Sequence, residues 1–126
     1  MKFFKCNICG NMVELIDDGG GELVCCGEVM EKLDPKENEE GNEKHLPVYE
    51  LDRNILNVRV GSELHPMIDN HYIEFILIKY DNIVVKRNFK PNEEPIHTFI
   101  LDETPDEIEI YEYCNVHGLW KVLHQK

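Results

Sequence analysis

Four of the five cysteines of this 126-residue chain fall within its first 26 positions, as Cys6-Asn7-Ile8-Cys9-Gly10 and Val24-Cys25-Cys26-Gly27. The fifth, Cys114, stands near the other end in Cys114-Asn115-Val116-His117. Residues 1–35 carry few large aliphatic side chains, and a segment that short rarely folds without a disulfide or a metal. A lysine near the start is the basic residue of a leader peptide, but a cysteine-rich turn follows where an apolar stretch is needed. The expected location is cytoplasmic. In that reducing compartment a cysteine cluster binds metal more often than it forms disulfides.

A CxxC turn aims two thiolates at one metal, and the glycine after it supplies the permissive backbone that continues the turn. A second CxxC would mark a zinc ribbon or a rubredoxin-like pair. Here the second half is the adjacent pair Cys25-Cys26. Successive side chains of an extended segment diverge, so both reach one ion only if the backbone bends between them. The four donors alone leave iron, zinc and a redox disulfide pair open, because thiolate suits both metals.

Beyond the cysteines the chain changes character. Residues 34–42 (DPKENEEGN) are polar, charged and broken by proline and glycine, which marks a linker. From Lys44 onward the pattern is β, with strands expected at 48–51, 55–60, 72–80, 83–89, 97–101, 108–114 and 119–123. Asp81-Asn82 forms a tight hairpin turn, and alternation in 107–113 turns Ile108 and Ile110 to one face. No long amphipathic helix is apparent, and no run has the length of a membrane span. The expected architecture is all-β: a small metal-stapled domain at 1–36, a linker at 37–42, and an immunoglobulin-like antiparallel β-sandwich at 43–126.

The formal net charge of −12 argues against nucleic acid or an anionic membrane as partner. It also repels small anions, so any anionic substrate needs a local positive patch.

Four histidines join the leftover cysteine. His45 opens the β region, His65 and His71 bracket one loop, and His117 is spaced from Cys114 like the second half of a CxxC. Singly each is weak, since most histidines are surface or hydrogen-bonded and most lone cysteines are inert core. Together they make five donors, one more than zinc normally takes, and suit an iron with one open position.

Glu43-Lys44-His45-x-Pro47, His65-Pro66-Met67 with His71, and Cys114-Asn115-x-His117-Gly118-x-Trp120 resemble the signature of the superoxide reductase family. With the two cysteine blocks added, the whole chain resembles the two-iron desulfoferrodoxin branch of that family. The resemblance implies two mononuclear iron ions. Cys6, Cys9, Cys25 and Cys26 would hold one in a desulforedoxin-like domain. His45, His65, His71 and His117 would hold the second equatorially, with Cys114 as axial thiolate. Glu43 would be the carboxylate that reaches the open position in the oxidised state, and Lys44 the cation beside it. The implied activity is one-electron reduction of superoxide to hydrogen peroxide. A small carrier such as rubredoxin would supply the electrons, and the protein would be a homodimer. A non-catalytic electron-transfer or zinc-binding protein is the alternative. His97 and His124 lie outside the motif and are expected at the surface or in turns. Tyr113 and Trp120 are expected in the core, with Tyr113 a candidate support for the site.

Overall fold

Runs of β-branched and aromatic residues become strands throughout. No helix forms among the described residues, 1–38 and 44–126 of a computed structural model, so none is long and apolar enough to cross a membrane. Contacts divide the chain into two units, Met1–Asp34 and Pro35–Lys126.

The first unit is built from short pieces. Strands β1 (Phe3–Lys5), β2 (Met12–Glu14) and β5 (Glu31–Leu33) form a small antiparallel sheet in the order β2-β1-β5, while β3 (Val24–Cys25) and β4 (Glu28–Val29) make a separate hairpin. Its buried apolar side chains are Phe3, Cys6 and Met30, whereas Ile8, Ile16, Val24 and Val29 are exposed. Burying a large apolar side chain contributes about 1.5–3 kcal/mol. Phe3 and Met30 do not offset the ordering entropy of a 34-residue segment.

The second unit has a real core. Strands β6 (Pro47–Asp52), β7 (Ile55–Val60) and β10 (Ile96–Ile100) form one sheet in the order β10-β7-β6. Strands β8 (Ile73–Tyr80), β9 (Ile83–Asn88), β11 (Glu107–Cys114) and β12 (Gly118–Gln125) form the other, in the order β12-β11-β8-β9. One apolar cluster joins Leu56, Val58, Val60 and Phe99 of the first sheet to Ile73, Ile76, Ile78, Ile108 and Ile110 of the second. The seven strands make the expected antiparallel sandwich, and their ends fall within two residues of the expected positions.

Alternation in β11 carries further than Ile108 and Ile110. The same parity buries Glu112 and Cys114 completely. His97 and His124 depart from expectation: both lie on strands, half-buried. His97 packs edge-on to Phe99 at 4.7 Å, and His124 exchanges a 3.0 Å hydrogen bond with the Tyr49 hydroxyl. Strand neighbours cover these rings, and single-residue reasoning does not see such neighbours.

Candidate metal centres

In the first unit, Cys6 and Cys9 flank a turn closed by hydrogen bonds from Gly10 N–H to the Cys6 carbonyl (3.0 Å) and from Cys6 N–H to the Asn11 carbonyl (2.8 Å). Gly10 adopts φ +82°, the left-handed backbone that this turn needs. Between the adjacent cysteines the required bend is present: Cys26 has φ +54° and Gly27 φ +78°. That kink lets both Cys25 and Cys26 turn toward the Cys6–Cys9 knuckle. All four Sγ atoms lie within 4.8 Å of one another, with Cys9 Sγ 3.6 Å from Cys25 Sγ.

Backbone N–H groups reach the sulfurs, from Cys9 to Cys6 Sγ at 3.5 Å and from Asn11 to Cys9 Sγ at 3.4 Å. The backbone N–H groups of Cys9 and then Ile8 pull the Cys6 thiol down to about 7. Crowding does the reverse on the other strand. The Cys9 sulfur raises the Cys25 thiol and drives Cys26 up to about 12. Four sulfurs this close cannot all ionise without a cation among them, which is the signature of a thiolate metal site.

The second cluster sits at one end of the sandwich, as strand register dictates. Pro47 at the start of β6 pairs with Val60 at the end of β7. Cys114 at the end of β11 pairs with Ile73 at the start of β8 and with Gly118 at the start of β12. His45 precedes β6, His65 and His71 lie between β7 and β8, and His117 lies in the β11–β12 turn. Every donor is therefore carried to the same edge. Gly118, at φ +88°, closes the turn that presents Cys114 and His117.

The four imidazoles form a closed circuit. Ring centroids are 4.9 Å apart for His45–His65, 4.7 Å for His65–His71, 5.1 Å for His71–His117 and 4.5 Å for His117–His45. Cys114 Sγ lies 3.4 Å from His65 Nε2 and 3.8 Å from His117 Nδ1, and the His117 N–H donates to it at 3.4 Å. The five donor atoms fall within 4.8 Å of one another. Exposure is graded: Cys114 and His65 are buried, His45 and His71 half-buried, and His117 exposed.

A hydrogen bond fixes the tautomer of His65. His65 Nδ1–H donates to the Pro66 carbonyl at 2.7 Å, so Nε2, 3.4 Å from Cys114 Sγ, carries the lone pair. Burial lowers the pKa of His65 to about 4, so its ring is neutral at neutral pH. Burial also raises the Cys114 thiol, with Glu112 and Glu74 adding to the shift. His71 Nε2 is buried with no hydrogen-bond partner among the described residues. A buried ring nitrogen without a partner is costly unless something binds it, and a metal ion fits the position. Four imidazoles with one thiolate suit iron, and the four-sulfur set suits iron or zinc.

Asn115 ties the two loops of the site together. Its Oδ1 accepts the Tyr72 N–H at 2.9 Å and its Nδ2 donates to the Asn70 carbonyl at 3.1 Å, holding His71 against the Cys114–His117 turn. Trp120 is more than core: its ring stacks on His45 at 4.8 Å, nearly parallel at 12°. Its place in the Cys114–Trp120 motif was the available signal. Tyr113 instead stacks on Phe75 at 5.9 Å. Lys44 is half-buried directly before His45, and Glu43 lies outside the described residues.

The profile of the desulfoferrodoxin family matches residues 37–123, and that of the desulfoferrodoxin N-terminal domain matches residues 1–33. The chain belongs to the desulfoferrodoxin family. A desulfoferrodoxin homolog from Archaeoglobus fulgidus is 44% identical over 121 residues, 96% of this chain and 95% of the relative. Desulforedoxin from Megalodesulfovibrio gigas is 55% identical over 29 residues, 23% of this chain and 78% of its own length. Among solved structures, the superoxide reductase from Treponema pallidum superimposes with a TM-score of 0.76 at 28% identity, covering 96% of both chains. The family's two-part architecture accounts for both clusters. A two-iron complement fits the donor sets of each.

Proposed function

We propose that this chain is a superoxide reductase: superoxide accepts one electron and two protons and leaves as hydrogen peroxide. The observation that carries the proposal is the closed circuit of four imidazoles beside a buried thiol, with one edge at the solvent. The resemblance to solved superoxide reductases supports it. His45, His65, His71, Cys114 and His117 would hold the reactive iron, and Cys6, Cys9, Cys25 and Cys26 a second one. Iron supplies the one-electron step when bound.

The residues prepare the ground for that step. His65 stays neutral because burial opposes its protonation, and neutral imidazoles leave a divalent ion with most of its charge uncompensated. That local positive centre attracts superoxide against the −12 background. The Cys114 thiol is raised by burial, so it ionises in the company of a cation and places its negative charge in the buried part of the site. His117 at the exposed edge leaves room for a diatomic anion to approach from water. Lys44 would attract the anion and orient the water that delivers a proton. Glu43 would take the carboxylate role that the family pattern gives it.

The first unit is then a metal-stapled accessory domain. A reducing cytoplasm suits five free cysteines, and a small carrier such as rubredoxin would return the electron. A homodimer would cover the exposed Ile8, Ile16, Val24 and Val29. Superoxide consumption under excess reductant tests the reading. One peroxide per superoxide with no dioxygen is expected. One peroxide for every two superoxides, with dioxygen, means dismutation and refutes it.

A further inference from the structure

Lys36 falls in the polar stretch that separates the cysteine-rich part of the chain from the sandwich, and its composition gives it no role. The structure places it against the histidine-rich centre. Its backbone N–H donates to the Leu119 carbonyl and its own carbonyl accepts from Lys121 N–H, both at 2.9 Å. These two bonds form a parallel bridge opposite Trp120 on the edge strand β12. Directly opposed residues of a ladder project to the same face, and the side chains show it. The Lys36 ammonium lies 5.0 Å from the centre of the Trp120 ring and donates to the His117 carbonyl at 2.9 Å. Trp120 in turn stacks on His45. One cation thus touches the carbonyl of one donor residue and the aromatic ring that supports another.

We propose that Lys36 is a positioning and charge-setting residue of this centre: it favours the reduced state of iron held there and draws small anions to its exposed edge. The first effect follows from Coulomb's law, since a nearby positive charge stabilises the less positive of two metal oxidation states. The second follows from the −12 background, in which a fixed cation beside the exposed His117 marks a local path for an anion. Lys36 is exposed, so salt weakens both effects. The bidentate backbone pairing is what keeps so mobile a side chain in place. The steering effect rests on the superoxide reading; the charge effect needs only a redox metal.

The test uses the full-length iron-loaded protein as wild type, Lys36→Gln and Lys36→Arg. Spectroelectrochemical titration of the histidine-ligated iron should give a lower midpoint potential for Lys36→Gln and a wild-type value for Lys36→Arg. An unchanged potential in Lys36→Gln, or an equal fall in both variants, overturns the charge role, the latter in favour of packing alone. At low ionic strength the superoxide rate of Lys36→Gln should fall roughly two- to fivefold and converge with wild type at high salt. A rate unchanged at low salt overturns the steering role. A wild type that reduces no superoxide refutes the proposed function, while the potentials still decide the charge role of Lys36.

Discussion

The two clusters of this chain invert the relation between metal and fold. In the first unit only Phe3 and Met30 are buried apolar side chains beside the four thiols, so metal binding must supply most of the folding free energy. In the second unit a two-sheet core is built from apolar side chains, with Ile73, Ile76, Ile78, Ile108 and Ile110 fully buried, and it carries five donors to one edge. The first cluster holds its domain together; the second is held together by its domain. A site that is assembled by a self-sufficient scaffold can leave one side open to a substrate. A site that is the scaffold cannot.

Removing one donor from each cluster should have opposite consequences for the two units. Cys9→Ser removes a sulfur from an exposed position, yet it should cost the first unit its metal and its order. Amide exchange protection should vanish across Met1–Asp34 and persist in the strands of Pro35–Lys126. Protection of the first unit in metal-free protein would show that its core suffices. Cys114→Ser should leave the sandwich folded and abolish superoxide reactivity. Its stability should fall by about 1–3 kcal/mol, the cost of burying a hydroxyl in an apolar site, as read by denaturant unfolding.

Smaller changes sharpen the contrast between the units. Asn115→Ala removes the link between the His71 loop and the Cys114–His117 turn. Affinity for the second iron should fall roughly tenfold in a chelator competition, as for other groups that orient metal ligands, with the first site unaffected. A further effect is one of pH on metal-free protein. His65 has a folded pKa near 4 against an ordinary 6.5, so between those values the unfolded chain binds more protons. Stability of the second unit should fall as pH drops from 6.5 toward 4 and stay level with respect to this group above 6.5. His65→Asn should remove that slope.

Much of this was legible in the residues because strand periodicity and motif spacing are local. The seven strands, the inward face of Ile108 and Ile110, and the grouping of both donor sets could be read from pattern and resemblance. Glu112 is legible too, because the alternation of β11 continues two residues past Ile110. Trp120 against His45 and Lys36 against Trp120 were not. Both contacts join positions 75 or more apart in sequence, and nothing local distinguishes a lysine in a linker from one paired to an edge strand. The bend at Cys26 stands between these cases: geometry demanded it, and the positive φ supplies it.

The two centres divide the work, with the histidine-rich one meeting the substrate. Stopped-flow mixing of fully reduced two-iron protein with less than one equivalent of superoxide tests it directly. The histidine-ligated iron should oxidise first, at a rate second order overall, with one peroxide formed per superoxide. Oxidation of the four-cysteine iron first, or release of dioxygen, would contradict it.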